Sequence, residues 1–364
     1  TLSSSSAASD VYKRQILGAS YGSLLSTKLL MAGHDVTLIC RAKTAALINA
    51  EGTEVRIKLR DEETHRSFHS DDMPGRVDAT TPEMADPSRY DMIALAMQEP
   101  QYSSAEVRGL MKRVAKSGKP CLSIMNMPPL AYLKRIEQLR DINLDDCYDN
   151  ASVWADFDPG KVTLCSPDPQ AFRPPEDEAN VLHVGLPTNF KAADFDDPED
   201  SAKLRQLADD IANVRVEGKD VPVKLRVYES LFVPMAKWSM LLTGNYRCVL
   251  PHSVQSIHDA VHGDIDQAST MYAWVDSLAQ KLGASPDDMV PFEKYANAAL
   301  SLMKPSSAAR AIDGGVSQIE RVDRLVQTIG QNLGMVNDTV DTIVNTVDTR
   351  LEENRVPVRM SKTG

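Results

Sequence analysis

The sequence predicts an α/β chain, a doubly wound parallel sheet followed by an all-α domain, and three observations predict it. An apolar strand runs through a glycine turn into a helix and then a second strand over residues 16–40, which is a βαβ unit. Strand-like runs go on alternating with helical ones as far as residue 125. After Pro222 the apolar residues fall at helical spacing almost to the end. With 364 residues the chain exceeds what one core fills, roughly 250–300 residues. Two domains are therefore expected, a sheet domain with an extended flank over 16–223 and a helical domain over 224–364.

Taken in order, Ile16 and Leu17 lead into Gly18, Ala19, Ser20, Tyr21, Gly22 and Ser23. Leu24, Leu25, Leu29 and Leu30 then recur at helical spacing until Gly33 closes the helix. Val36, Thr37, Leu38, Ile39 and Cys40 form a β-branched run of the kind found in a buried parallel strand. Further strands are expected at 92–97 and 121–125. From 145 to 223 the turn signals Asp158-Pro159-Gly160, Ser166-Pro167-Asp168-Pro169 and Arg173-Pro174-Pro175 separate short β-type runs at 161–165 and 181–184, an antiparallel or irregular flank. Helices are expected at 228–242, 270–282, 319–333 and 336–351. The last carries Val336, Val340, Ile343, Val344, Val347 and Leu351, which reads as a packed amphipathic face in preference to the seam of a homodimer. Residues 1–15 read as a non-native leader, because the stretch from Ser5 to Gln15 resembles translated adapter sequence and lacks the apolar core of a secretory signal.

Composition narrows the function. Lys plus Arg number 40 against 51 Asp plus Glu, so the net charge of −11 repels nucleic acid and anionic lipid. No apolar run approaches the roughly 18–20 residues of a membrane-spanning helix. The five cysteines are widely spaced and never form a CxxC pair, which fits a reducing, cytoplasmic setting.

Four motifs carry chemistry. Pyrophosphate can approach backbone amides at a helix N-terminus only where small residues precede the helix, and Gly18 and Gly22 supply that. They stand one residue closer than the first and third glycines of GxGxxG; either Ser20 and Ser23 replace two glycines or one residue is deleted. At the end of the next strand Arg41, with Lys43 behind it, stands where an acidic residue would hold a ribose 2′-hydroxyl, and this points to NADPH. Lys237 sits among Leu231, Phe232, Val233, Met235, Met240, Leu241 and Leu242; an ammonium on so apolar a helix is a candidate proton donor. In Pro305-Ser306-Ser307, Ser306 or Ser307 is an N-cap for a late helix. His252, His258 and His262, the last two an i, i+4 pair, with Asp259, Asp264 and Asp266 nearby could ligate a divalent metal, but no third ligand is fixed by spacing and no metal is expected.

Together these pieces resemble the ketopantoate reductase (2-dehydropantoate 2-reductase) family over residues 16 to about 334. The clearest stretch runs from Ile16 through Ala32-Gly33-His34-Asp35-Val36 to Arg41. The resemblance implies a Rossmann-type domain followed by an all-α domain of the 6-phosphogluconate dehydrogenase C-terminal type. It implies NADPH-dependent reduction of a small 2-keto acid to the 2-hydroxy acid, a step of pantothenate biosynthesis. Lys237 matches the catalytic lysine, and Glu320 the glutamate that binds substrate hydroxyl. Asn126, Asn245 and Ser307 match substrate-orienting residues, with Asn126 also facing cofactor beside Gly18, Ala19, Ser20, Tyr21, Gly22, Arg41 and Gln98.

The departures are specific. Gln98 replaces a cofactor-contacting lysine, with Gln101 nearby, and Leu241 replaces the first asparagine after the catalytic lysine. The Ser307-to-Glu320 spacing is one residue longer than usual. The scaffold and hydride chemistry are expected to survive with an altered substrate. The alternatives are a same-fold enzyme acting on another keto acid or an imine, of opine type, and a protein that binds NADP(H) without turnover.

Overall fold

The computed structural model describes residues 2–3, 13–18 and 21–356 of the chain, which divides into two units. The first comprises residues 1–136 and 152–234, the second residues 137–151 and 235–364.

The strands of the first unit, in chain order, are β1 (Lys13–Leu17), β2 (Asp35–Ile39), β3 (Glu54–Ile57), β4 (Arg66–His69), β5 (Val77–Thr80) and β6 (Met92–Leu95). They continue with β7 (Cys121–Ile124), β8 (Val162–Ser166), β9 (Gln170–Phe172), β10 (Val181–Leu186), β11 (Phe190–Ala193) and β12 (Leu225–Tyr228). The large sheet has the order β12-β11-β8-β7-β6-β1-β2-β5. From β5 to β8 every neighbouring pair is parallel. Those strands follow the dinucleotide-binding order, with the switch point at β1, between β2 and β6. Helices α1 (Tyr21–Met31), α2 (Ala42–Glu51), α3 (Ala105–Ser117) and α4 (Pro198–Asn213) accompany the sheet. Leu24, Leu25, Leu29 and Leu30 of α1 and Leu204, Leu207 and Ile211 of α4 share one core with Ile16, Met92 and Leu122.

The Rossmann-type sheet expected from the βαβ pattern is present, and several elements differ from the sequence reading. Val162–Ser166 is no part of an irregular flank: all its residues are buried, and it pairs in parallel with β7. Leu225–Tyr228 is a strand, not the approach to a helix, because it pairs in parallel with β11, itself antiparallel to β8. The first unit accordingly extends to Pro234, past residue 223. The flank proper is a separate sheet of order β9-β10-β3-β4, in which β10 pairs in parallel with β3. Lys13, Arg14 and Gln15 complete β1, and Arg14 and Gln15 are buried there.

The described helices of the second unit include α5 (Ile257–His262), α6 (Ile265–Lys281), α7 (Phe292–Ala299), α8 (Ser307–Asp313), α9 (Val322–Asn332) and α10 (Asp338–Arg355). Side-chain caps set several starts. Ser256 accepts from Asp259 N, Asp264 from Gln267 N, and Asn337 from the amides of Thr339 and Val340. The Asn337 cap starts α10 at Asp338, two residues later than the apolar pattern suggested, and leaves Val336 64 % exposed. Val340, Ile343, Val344, Val347 and Leu351 are buried within the unit, as the packed-face reading requires. Residues 137–151 join this unit through contacts such as Cys147 Sγ to Thr328 Oγ1 at 3.4 Å. Among the described residues no helix is long and apolar enough to cross a membrane.

One buried charge stands out in the first unit. Lys28 of α1 is 1 % exposed, and its ammonium donates to the carbonyls of Pro222 at 2.9 Å and Val221 at 3.4 Å. Burial, with help from the Lys224 charge and against that of Asp220, lowers its pKa to about 7. A lysine that binds its proton more weakly when folded costs stability below its folded pKa and regains it as pH rises toward the unfolded value. We expect urea unfolding to show wild-type stability rising between pH 7 and 9 by about 2 kcal/mol more than in Lys28→Met; equal slopes would refute the assignment.

Candidate functional site

Four residues singled out from the sequence follow the carboxyl ends of adjacent parallel strands. Gly18 follows β1, Arg41 lies just past β2, Gln98 past β6 and Asn126 past β7. In an open α/β sheet, this edge at the switch point is where ligands bind. Gly18 has φ +99°, in the left-handed region, and a Cβ there would lie 2.4 Å from the Ala96 carbonyl oxygen. Gly18 thus lets β1 leave the sheet tight against Ala96 and Met97, three residues before α1 begins, at the place where folds of this strand order hold a dinucleotide, and this fits a nicotinamide coenzyme. Gly22 lies in the first turn of α1, against Ile16. Ala19 and Ser20 lie outside the described residues, and Tyr21 is described in its backbone alone.

Arg41 is exposed and extended (φ −64°, ψ 149°) at the start of α2, where it makes no capping hydrogen bond. A further cation, besides Arg41 and Lys43, was not foreseen. Arg173, just past β9, is near enough for its charge to lower the Cys40 pKa, although burial, the larger effect, raises it. No spacing signal could have found Arg173, because it arrives from the flank sheet. Gln98 and Gln101 cap each other across the turn at Glu99–Ser103, with Gln98 N donating to Gln101 Oε1 at 3.0 Å. Met97 N donates to the hydroxyl of buried Tyr102 at 3.1 Å, and Tyr102 meets Trp154 edge-on at 5.3 Å. Both glutamines therefore have a structural task at the rim of the sheet.

In the second unit the chain is helical from Lys237 to Cys248, but not uniformly so. An α turn at Lys237–Met240 widens into a π turn at Leu241–Asn245 and tightens again at Tyr246–Cys248. Lys237 is half-buried beside buried Met235, Ala236, Trp238 and Ser239. In a plain α-helix, residues eight apart diverge by about 80° around the axis. The extra residue that a π turn takes up brings Asn245 back toward the Lys237 face. Gly244 permits the widening, since a Cβ there would stand 1.8 Å from the Tyr295 hydroxyl. That hydroxyl donates to the Met240 carbonyl at 3.2 Å. Ser239 hydrogen-bonds Asp276 on α6, whose carboxyl pKa is raised by burial and held back by this bond.

The segments bearing Asn245, Ser307 and Glu320 are tied together by main-chain groups. Ser306 Oγ donates to the Asn245 carbonyl at 2.7 Å and accepts from Ala309 N at 3.1 Å. Ser306 is thus the buried N-cap of α8, and Ser307 is the exposed first residue of the helix. The buried hydroxyl of Tyr246 donates to the Glu320 carbonyl at 2.6 Å. Glu320 itself is half-buried and precedes α9, which begins at Val322 and not at 319. Tyr246 and Tyr295 were not foreseen, because tyrosines in a helical run read as core. Of the three histidines considered for a metal, His258 faces Asp259 Oδ1 at 3.0 Å and His262 faces the Ala296 carbonyl at 2.9 Å.

No protein-family model and no curated protein matches the chain. Solved structures do match, at low identity. A protein from Ralstonia solanacearum MolK2, described provisionally as a ketopantoate reductase, has a TM-score of 0.68 at 17% identity, covering 95% of this chain and 100% of its own. A 2-dehydropantoate 2-reductase from Methylococcus capsulatus has a TM-score of 0.67 at 12% identity, covering 95% and 98%. A D-mandelate dehydrogenase bound to NADH and anilino(oxo)acetate has a TM-score of 0.62 at 13% identity, covering 94% and 100%. The chain therefore shares the fold of ketopantoate reductases, including the Rossmann-type sheet and the helical C-terminal region.

The π turn makes its own prediction. Gly244→Ala places a methyl group against the Tyr295 hydroxyl and is expected to cost about 1–3 kcal/mol, the usual range for overpacking. In chemical denaturation, Tyr295→Phe added to Gly244→Ala should recover part of that loss, because the ring carbon would remain 3.1 Å away. A neutral Gly244→Ala would mean that the turn is not clamped.

Proposed function

We propose that the protein is an NADPH-dependent oxidoreductase that reduces a small 2-keto acid to the corresponding 2-hydroxy acid. The observation that carries this reading is the positive-φ Gly18 turn at the switch point, on the carboxyl edge of the sheet, with Arg41 at the end of the next strand. The pyrophosphate would lie over residues 18–22 at the start of α1, stabilised by the helix dipole and by the first-turn amides that any helix leaves without an intrahelical partner. Arg41, with Arg173 nearby, would neutralise the ribose 2′-phosphate that distinguishes NADPH from NADH. Asn126 and the rim at Gln98 would flank the nicotinamide half.

Bound NADPH supplies a hydride to the carbonyl carbon of the substrate. Lys237 donates a proton to the carbonyl oxygen as negative charge develops there, an interaction realised mainly in the transition state. Asn245, which the π turn brings toward the Lys237 face, and Ser307 orient the carboxylate. Glu320 accepts a hydrogen bond from a substrate hydroxyl and favours the charged form of Lys237. The products are the 2-hydroxy acid and the oxidised coenzyme, with Lys237 reprotonated from solvent.

A changed substrate has specific support. Leu241, where ketopantoate reductases place an asparagine, is buried and offers no hydrogen bond from its side chain. This favours a 2-keto acid other than ketopantoate.

Two measurements test the reading. Arg41→Ala should raise the KM for NADPH at least tenfold and change that for NADH less than twofold; equal changes would remove Arg41 from the 2′-phosphate. Lys237→Ala should lower kcat about 10²–10⁴-fold with NADPH affinity unchanged, and wild-type turnover in that variant would refute the proton-donor role. An absence of NADPH oxidation across a 2-keto acid panel would overturn the proposal, whereas oxidation that requires added amine would favour an imine substrate.

A further inference from the structure

Tyr246 lies one residue beyond Asn245, and its hydroxyl makes two hydrogen bonds to one segment. It donates to the Glu320 carbonyl at 2.6 Å and accepts from Val322 N at 3.1 Å, so it bridges the two peptide groups that flank Arg321. The side chain is 4 % exposed, and burial together with the charges of Asp323 and Glu320 raises its pKa, so the hydroxyl keeps its proton. Between α8 and α9 the chain from residue 316 to 321 has no regular structure of its own. Its position therefore depends on such ties. The next residue is pinned separately: the Arg321 guanidinium forms two 2.9 Å bonds to buried Asp323 and one of 2.5 Å to Asp348.

The geometry points to Tyr246 as a positioning residue for Glu320, its hydroxyl fixing the height of the glutamate backbone relative to Asn245 at the end of the π turn. This rests on the role proposed above for Glu320. The chemistry is economical in atoms. One buried hydroxyl couples the main chain of a carboxylate-bearing loop to the helix that carries an asparagine and an ammonium, while the ion pairs at Arg321 hold the far side. Phenylalanine would fill the same volume and leave a carbonyl and an amide without their partner, which frees the loop without opening the core.

The test combines kinetics with a readout that needs no turnover. In Tyr246→Phe the KM for the keto acid should rise about tenfold with kcat changed less than threefold and NADPH affinity changed less than twofold. In a Glu320→Ala background the same substitution should change kcat/KM less than twofold, because a residue that acts through Glu320 has nothing left to position. An equal loss in both backgrounds, or an unchanged KM in the single variant, overturns the proposal. Amide hydrogen exchange provides the second arm: Val322 should exchange at least tenfold faster in Tyr246→Phe, with α10 unchanged. If wild type oxidises NADPH with no keto acid, the functional reading fails. Faster exchange at Val322 would then still support the hold on the Glu320 segment, and unchanged exchange would refute it.

Discussion

The first unit depends on a missing side chain at the point where three strands meet. Gly18 N donates to the Ile39 carbonyl at 3.2 Å, and Ala96 N donates to the Leu17 carbonyl at 2.8 Å, so the turn leaving β1 is held between its neighbours on both sides. The same closeness brings the Ala96 carbonyl to where a Cβ would stand. Only glycine satisfies the positive φ and the contact together. The chain can then leave β1 at the switch point and begin α1 three residues later. The start of α1 beside the switch point follows from that one permission.

The second unit meets a related problem inside a helix. Widening a helical turn disturbs carbonyl pairing and needs room for an extra residue. Gly244 gives the room, and the Tyr295 hydroxyl enters it to reach the Met240 carbonyl. Packing thus fixes a register shift that sequence periodicity alone would smooth away. Burial of Trp238, Leu241 and Leu242 on the same run explains why the region reads as an ordinary apolar helix from its pattern.

This explains what was legible in the sequence. The βαβ opening could be read because glycine punctuation and β-branched runs are local signals, and the strands at Met92–Leu95 and Cys121–Ile124 follow the same rule. Val162–Ser166 reads as flank because the turns around it resemble those of an irregular region; only its pairing with β7 reveals a central strand. Leu225–Tyr228 alternates in burial over just four residues, too short a span to be told from the helical pattern that follows. Within the site, Ser306 and Ser307 both suit an N-cap, and the hydrogen bond to the Asn245 carbonyl decides for Ser306. Arg173 and Tyr246 were beyond reach for a common reason. Each owes its place to a contact with chain more than seventy residues away, which leaves no periodic trace.

The residues proposed for chemistry share a mode of support that separates them from Gln98. Asn245 is fixed through its carbonyl by Ser306, and Glu320 through its carbonyl by Tyr246. Arg41 takes the N-terminal position of α2 without using its side chain as a cap. Anchoring through the main chain sets the origin of each of these two side chains. Gln98 is held the other way, its amide engaged in the reciprocal cap with Gln101. A lysine at that position could not accept the Gln101 amide hydrogen, so the exchange of lysine for glutamine alters the rim from a cationic contact to a self-capped turn. The positive charge on this edge then resides at the end of β2, with Arg41 and Arg173, and not after β6. For the NADPH-dependent activity proposed above, recognition of the coenzyme would thereby be weighted toward its 2′-phosphate end.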